Sequence, residues 1–255
     1  MANLKSEISD FQFEISDSKS QIVGWNILDT GAATGSYNMA HDLELLERHA
    51  AGELDRPILR FYSWAPPAVS VGRHQRPESF LDLDACRELG IDVVRRPTGG
   101  GAILHEHEVT FSVIARYEFL GCSSVIAVFR LLGGAIAEGL RVLGIEARLV
   151  ERPEAPAALF RNQPLCFAVK AACDIEVDGR KLVGCAQLRR DGAVLQQNSL
   201  PLRIDREKCR RVFQGKEPND CTDIESVLSR TVCPSDVIAA LTDSFRSHLD
   251  WRQQR

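Results

Sequence analysis

Apolar residues recur at helical spacing through Val128, Leu131, Leu132, Ala135, Ile136, Leu140 and Leu143, and the repeat stops at Gly144. That pattern predicts a helix over 125–143 with one face in the core. A second helix is expected over 37–49, where Ser36 can cap and Met39, Leu43 and Leu46 share a side. A third, over 82–89, ends at Gly90. β-Branched and aromatic runs at 22–28, 58–64, 68–71, 91–95 and 109–115 read as strands, the second and third joined by a tight turn at Pro66-Pro67. Farther on, Ile175 and Val177 alternate with Asp174 and Glu176, and Asp178-Gly179 and Asp191-Gly192 supply turns before strands at 181–187 and 193–199. These three strands form a meander, followed by helices over 222–228 and 235–249. Strands and helices mix without regular β–α alternation, so the expected class is α+β with a mixed, largely antiparallel sheet.

A chain of 255 residues holds one large domain or two small ones. No linker, repeat or low-complexity tract divides it, so 21–255 is expected to form a single domain with a helical C-terminal tail, behind a loose arm at 1–20. Hydrophobic residues at 44% and charged residues at 26% exclude disorder and coiled coil. A net charge of −4 speaks against nucleic acid held by a broad basic surface. No apolar run approaches the roughly 20 residues of a membrane span, and the polar N-terminus is unlike a targeting peptide, so a cytoplasmic protein without membrane partners is expected. Eight cysteines at uneven spacing, with no Cys-x-x-Cys pair, read as reduced thiols rather than a disulfide or zinc framework.

Three segments can carry chemistry. Arg95-Arg96-Pro97-Thr98-Gly99-Gly100-Gly101-Ala102 precedes His105; its glycines let backbone approach a ligand and its arginines suit an anionic or carbonyl-bearing one, although a flexible turn explains the run equally well. It matches no classical nucleotide-binding pattern. His105 and His107 share a strand face but lack a third ligand, so no metal is expected. In the second segment the Asp178-Gly179 turn sets Lys181 opposite Glu176, which makes a cross-strand ion pair the plain reading of this lysine. Gly184 and Ala186 clear space for a ligand across the same strand. The third is Cys166, within Asn162-Gln163-Pro164-Leu165-Cys166-Phe167. A thiol beside a lysine shifts toward thiolate and can attack an acyl carbonyl, but the residues alone do not separate Cys166 from Cys173 or Cys185.

Taken in order, Tyr37 to Asp42, Arg60 to Ala68, Arg95 to Ala102 with His105, and Asp178 to Lys181 with Gly184, Ala186 and Gln187 resemble the catalytic domain of biotin/lipoate protein ligases, in its lipoyl-attachment branch. The resemblance covers about 22–203. It implies that family's α+β fold, shared with class II aminoacyl-tRNA and biotin synthetases, in which the glycine-rich loop and the lysine-bearing strand flank an acyl tunnel. Pro164 to Phe167 and His105 to Val113 are similar to the branch's octanoyltransferases, which implies Cys166 as the thioester nucleophile. Lys181 is implied as the residue lowering its pKa and as proton shuttle. Arg73, Arg96, Gly99, Gly100, Gly101, His105, Gly184 and Ala186 are the implied substrate-binding residues. The implied partners are octanoyl-acyl carrier protein and a lipoyl domain or glycine cleavage H protein, with no cofactor. Gly101 and Arg73 point instead toward the lipoate ligases, which would need ATP and Mg²⁺, whereas Cys173 departs from the ligase pattern. A non-catalytic binder of acyl chains or lipoyl domains is the third reading.

Overall fold

The computed structural model describes residues 24–150, 164–168 and 174–253. The arm at 1–20, the start of the strand expected at Ile22, and Cys173 lie outside them. Among the described residues, ten strands form two sheets. Strands β1 (Asn26–Ala33), β2 (Ile58–Trp64), β6 (Glu108–Arg116), β7 (Arg148–Leu149), β8 (Ile175–Val177), β9 (Arg180–Arg190) and β10 (Ala193–Pro201) make a seven-stranded sheet in the order β1-β2-β6-β10-β9-β8-β7. Only β1 and β2 run parallel there, so the largely antiparallel expectation holds. A smaller sheet takes β3 (Ala68–Val71), β4 (Asp92–Arg95) and β5 (Ile103–His105) in the order β4-β3-β5.

The tight turn expected between β2 and β3 does not pair them. β2 lies beside β6 and β3 beside β4, so the chain changes sheet at Pro66-Pro67, where neither residue has an N–H to extend a ladder. The meander is present as read. Asp178 and Gly179 both have positive φ, 49° and 72°, as do Asp191 and Gly192 at 44° and 82°, the conformation a two-residue hairpin loop requires.

Helices cover both faces of the large sheet. α1 (Gly35–Ala50) lies on one, with Met39, Asp42, Leu45, Leu46 and His49 buried. Its cap is Thr34 rather than Ser36, the Thr34 hydroxyl accepting from the Tyr37 N–H at 3.3 Å. Gly35 fits there because a Cβ would stand 2.9 Å from Val94. α2 (Leu83–Glu88) flanks the small sheet, capped by Asp82, and α3 (Tyr117–Leu120) follows β6. On the other face α4 (Val125–Val142) buries the apolar stripe predicted for it. It lies against the final helix, which follows α5 (Arg206–Val212) and α6 (Ile224–Leu228) and is labelled α7 (Pro234–Gln253). Gly139 allows that approach, since a Cβ would be 3.1 Å from the Ala240 carbonyl. No helix among the described residues is long and apolar enough to cross a membrane.

The α1 face of the sheet is polar where it meets the small sheet. Asp42 and Arg60, both completely buried, pair at 2.7 Å. Arg60 also donates to Asn38 and Thr30, while Tyr62, Ser112 and Gln197 donate to Asp42 at 3.1, 2.8 and 2.8 Å. Every charge in this cluster is met, which is the condition for burying one. Replacing Arg60 with Met strands the Asp42 carboxylate, so Arg60→Met should cost about 3–5 kcal/mol in denaturant unfolding; a loss below about 1 kcal/mol would mean that the pair does not anchor α1.

Candidate active site

Cys166 begins a short 3₁₀ turn, Cys166–Ala168, placed between the glycine-rich loop and β9. Its backbone is tied to the end of that loop: the Cys166 N–H donates to the Ala102 carbonyl at 3.0 Å and the Ala102 N–H to Pro164 at 2.6 Å. Gly101 makes this possible. A Cβ there would lie 2.5 Å from the Cys166 nitrogen, so any side chain would expel the cysteine segment.

Lys181 reaches the same segment from β9. Its Nζ donates to the Cys166 carbonyl at 3.0 Å, stands 3.6 Å from the Cys166 Sγ, and pairs with Asp174 at 2.7 Å. The strand register explains its aim. Glu176 is opposite Lys181 and Ile175 is opposite Val183, leaving Leu182 as an extra residue. This β-bulge reverses the alternation, so Lys181 shares a face with Gly184 while Leu182 and Val183 both enter the core. The expected opposition of Lys181 and Glu176 is thus present in the backbone, but the side chains part: Glu176 takes Arg148 at 3.0 Å and Lys181 takes Asp174.

Burial alone would pull the Lys181 ammonium down, but Asp174 and the Cys166 sulfur outweigh it and hold its pKa above the ordinary value. The group is a held cation. Elsewhere burial dominates and makes thiols inert: it pushes Cys221 up to about 11 and Cys209 up to about 12.

Cys166 lines a pocket that opens to solvent. Of the residues singled out from sequence, Cys166, Cys185, Arg96, His105, Gly184 and Ala186 line it, and of the two cysteines it is Cys166 that Lys181 approaches within 3.6 Å of the sulfur. Gly184 lies where a Cβ would approach the Cys166 Sγ to 3.6 Å, so the absence of a side chain leaves room beside the thiol. Arg96 is turned onto the loop: it donates to Ser70, Gly99 and Gly101 carbonyls at 3.1, 2.6 and 2.7 Å. Gly99 and Gly100 form the outer bend, with Gly100 at φ 90°. Arg73 is exposed at a neighbouring turn, where its backbone N–H donates to Thr98. These three residues do not line the pocket.

His105 belongs to a hydrogen-bonded wall. Its Nδ1 meets Glu108 at 2.6 Å and its Nε2 meets Ser70 at 2.7 Å, while Trp64 stacks on the ring at 4.1 Å and donates to Thr110 at 2.7 Å. Burial would raise the Glu108 carboxyl, but His105 beside it and hydrogen bonds from His105, Ser199 and Thr110 hold its pKa below the ordinary value. His107, by contrast, is exposed beside Glu106 and Arg203.

Asp174 was missed as a site residue, and so were Trp64, Ser70 and Glu108. The signal for Asp174 was present: it lies two residues before Glu176 and therefore on the face toward which Lys181 points.

Comparison with known proteins places this geometry. The chain belongs to the family described as the lipoyl protein ligase A/B catalytic domain, whose model matches residues 34–246. It is similar to Octanoyltransferase LipM of Lysinibacillus sphaericus, 35% identical over 88% of this chain and 87% of that one. It is also similar to Octanoyltransferase LipM of Symbiobacterium thermophilum, 42% identical over 71% of this chain and 66% of that one. Among solved structures, Ta0514, a proposed lipoate protein ligase of T. acidophilum, superposes with a TM-score of 0.71 at 25% identity, covering 89% and 86% of the two chains. A lipoate-protein ligase A bound with ATP gives 0.68 at 26%, covering 89% and 85%.

The Glu108 wall makes a stability prediction. A carboxyl whose folded pKa is depressed adds stability that is present above its unfolded value, near 4.5, and is lost as pH falls through the folded value. Denaturant titrations from pH 7 to pH 3 should show that Glu108→Gln is less stable than wild type at pH 7 and that the gap closes below pH 4.5; a gap of constant size would contradict this account of the wall.

Proposed function

We propose that the chain is an octanoyltransferase of protein lipoylation, with Cys166 as nucleophile and residues 21–255 acting as one catalytic domain. The observation that carries this is the Cys166 thiol, 3.6 Å from a buried ammonium and beside a pocket cleared by Gly184. The names of the relatives at 35–42% identity supply the acyl group. Cys166 loses its proton to solvent, its thiolate attacks the carbonyl of octanoyl-acyl carrier protein, the carrier's C–S bond breaks, and the carrier leaves as a thiolate that takes up a proton from solvent. An acceptor lysine of a lipoyl domain or of glycine cleavage H protein, ordinarily near pKa 10.4, then loses a proton to solvent and attacks the acyl-cysteine. The amide forms, the second C–S bond breaks, and one of the amine's two remaining protons passes to the Cys166 sulfur. Thioester exchange is nearly isoenergetic and amide formation is downhill, so no ATP enters.

In this scheme Lys181 favours the thiolate electrostatically and stays protonated. Its pairing with Asp174 disfavours the shuttle role implied by the family resemblance, because a lysine held above its ordinary pKa is a poor base. His105, Gly184 and Ala186 shape the acyl pocket, Gly101 seats the cysteine segment, Arg96 holds the loop, and Arg73 with Gly99 and Gly100 forms the rim offered to the carrier. The likeness to lipoate-protein ligase A favours a second reading, ATP-dependent ligation of free lipoate.

Incubation with octanoyl-acyl carrier protein and no nucleotide should add one octanoyl group by intact mass. The adduct should be absent from Cys166→Ala, present in Cys185→Ala, and transferred to a lipoyl domain. An adduct on another cysteine would refute the nucleophile, and transfer that requires ATP, Mg²⁺ and free lipoate would establish the ligase reading instead.

A further inference from the structure

The turn at residues 72–76, which follows β3, touches both parts of the site without lining the pocket. Gly72 lies so close to the glycine-rich loop that a Cβ would stand 2.0 Å from the Gly100 carbonyl oxygen. Arg95 braces the turn from β4, its guanidinium donating to the Gly72, Arg73 and Gln75 carbonyls at 3.1, 3.1 and 2.8 Å. Gln75 then spans from this turn to the cysteine segment. Its Oε1 accepts from the Gly72 N–H at 2.9 Å, and its Nε2 donates to the Pro164 carbonyl at 2.8 Å. One of these neighbours can only donate and the other only accept, so the amide has a single orientation.

The cysteine segment has few other fixed points. Both of its backbone bonds to the glycine-rich loop go to one residue, Ala102, which makes a hinge rather than a clamp. Leu165 and Phe167 are buried, but apolar burial is non-directional and lets a segment pivot. Hydrogen bonds from outside the hinge are directional and fix its angle. Among the described residues, the side chains that supply them are Lys181, on the Cys166 carbonyl, and Gln75, on the Pro164 carbonyl.

We infer that Gln75 is a positioning residue for the thiol: with Lys181 at the other end, it sets the angle of the cysteine segment and so keeps the Cys166 sulfur 3.6 Å from the ammonium. This inference rests on the reading of Cys166 as the nucleophile. Gln75 touches no reacting atom, so its effect passes through the placement of the sulfur. A misplacement of about 1 Å can cost a reaction about a hundredfold. The Pro164 carbonyl keeps the Ala102 N–H when Gln75 is replaced, so no acceptor is orphaned there.

The test uses the full chain carrying Gln75→Met or Gln75→Asn. Both are uncharged; methionine has no donor, and asparagine, one methylene shorter, keeps an amide that falls short of Pro164. Two quantities are followed: the pH midpoint for iodoacetamide alkylation of Cys166, and kcat and KM for its loading from octanoyl-acyl carrier protein. In both variants the midpoint should rise by at least about half a unit, because the cation acts on a sulfur farther away. Loading should lose about tenfold or more in kcat with KM nearly unchanged. A folded Gln75→Asn protein with an unmoved alkylation midpoint would overturn the inference, whatever its stability, and so would failure of both variants to fold, which would make Gln75 a structural brace. If wild type takes up no octanoyl group, the transferase reading falls, while the alkylation midpoint, which needs no acyl donor, still decides whether Gln75 places the sulfur.

Discussion

The site is organised by one buried charge. The Lys181 ammonium is withdrawn from water between Asp174, the Cys166 carbonyl and the Cys166 sulfur, with the Phe167 ring 5.4 Å away. A charge removed from water is tolerated only when partners replace its hydration. Here one partner is a carboxylate, one is a carbonyl, and the third, the thiol, becomes a good partner only as thiolate. The same desolvation that requires Asp174 gives the cation a stronger hold on any negative charge beside it than an exposed lysine would have.

The rest of the fold can be traced to what this arrangement needs. Lys181 must leave the core face of its strand, which the bulge at Leu182 achieves. Cys166 must hold its backbone against the glycine-rich loop, which Gly101 permits by lacking a Cβ. The loop in turn is held from two directions, by the Arg96 guanidinium within it and by Thr98, whose hydroxyl donates to Gln197 at 2.7 Å. Gln197 donates onward to Asp42, so the loop is joined through one side chain to the buried Asp42–Arg60 pair and to α1. Rigid placement of the Cys166 side chain depends on such supporting contacts as much as on the lysine beside it.

Much of this was legible along the chain because periodicity is a local property. The α4 stripe and the β8–β10 meander follow from spacing and turn chemistry alone, and the Asp178-Gly179 turn was enough to place Glu176 opposite Lys181. Three features were not legible, for physical reasons. β5 is three residues long, too short to show alternation. β2 and β3 look like a hairpin in sequence but belong to different sheets, a choice made by tertiary packing rather than by the intervening prolines. The bulge leaves only a faint trace, two adjacent apolar residues at Leu182-Val183 where strict alternation would place one. Without it the lysine could not be separated from a surface ion pair. The order of motifs identified the family, but only the three-dimensional contacts join Cys166 to Lys181.

The account's central claim is that the Lys181 charge sets the reactivity of Cys166. The most direct measurement is the rate of iodoacetamide alkylation of Cys166 at neutral pH, read by peptide mass against exposed Cys233 in the same molecules, in wild type and in Lys181→Met. The account predicts that the Cys166 rate falls by at least about tenfold in the variant, while Cys233 is unchanged. An unaltered ratio of the two rates in a folded Lys181→Met protein would contradict it.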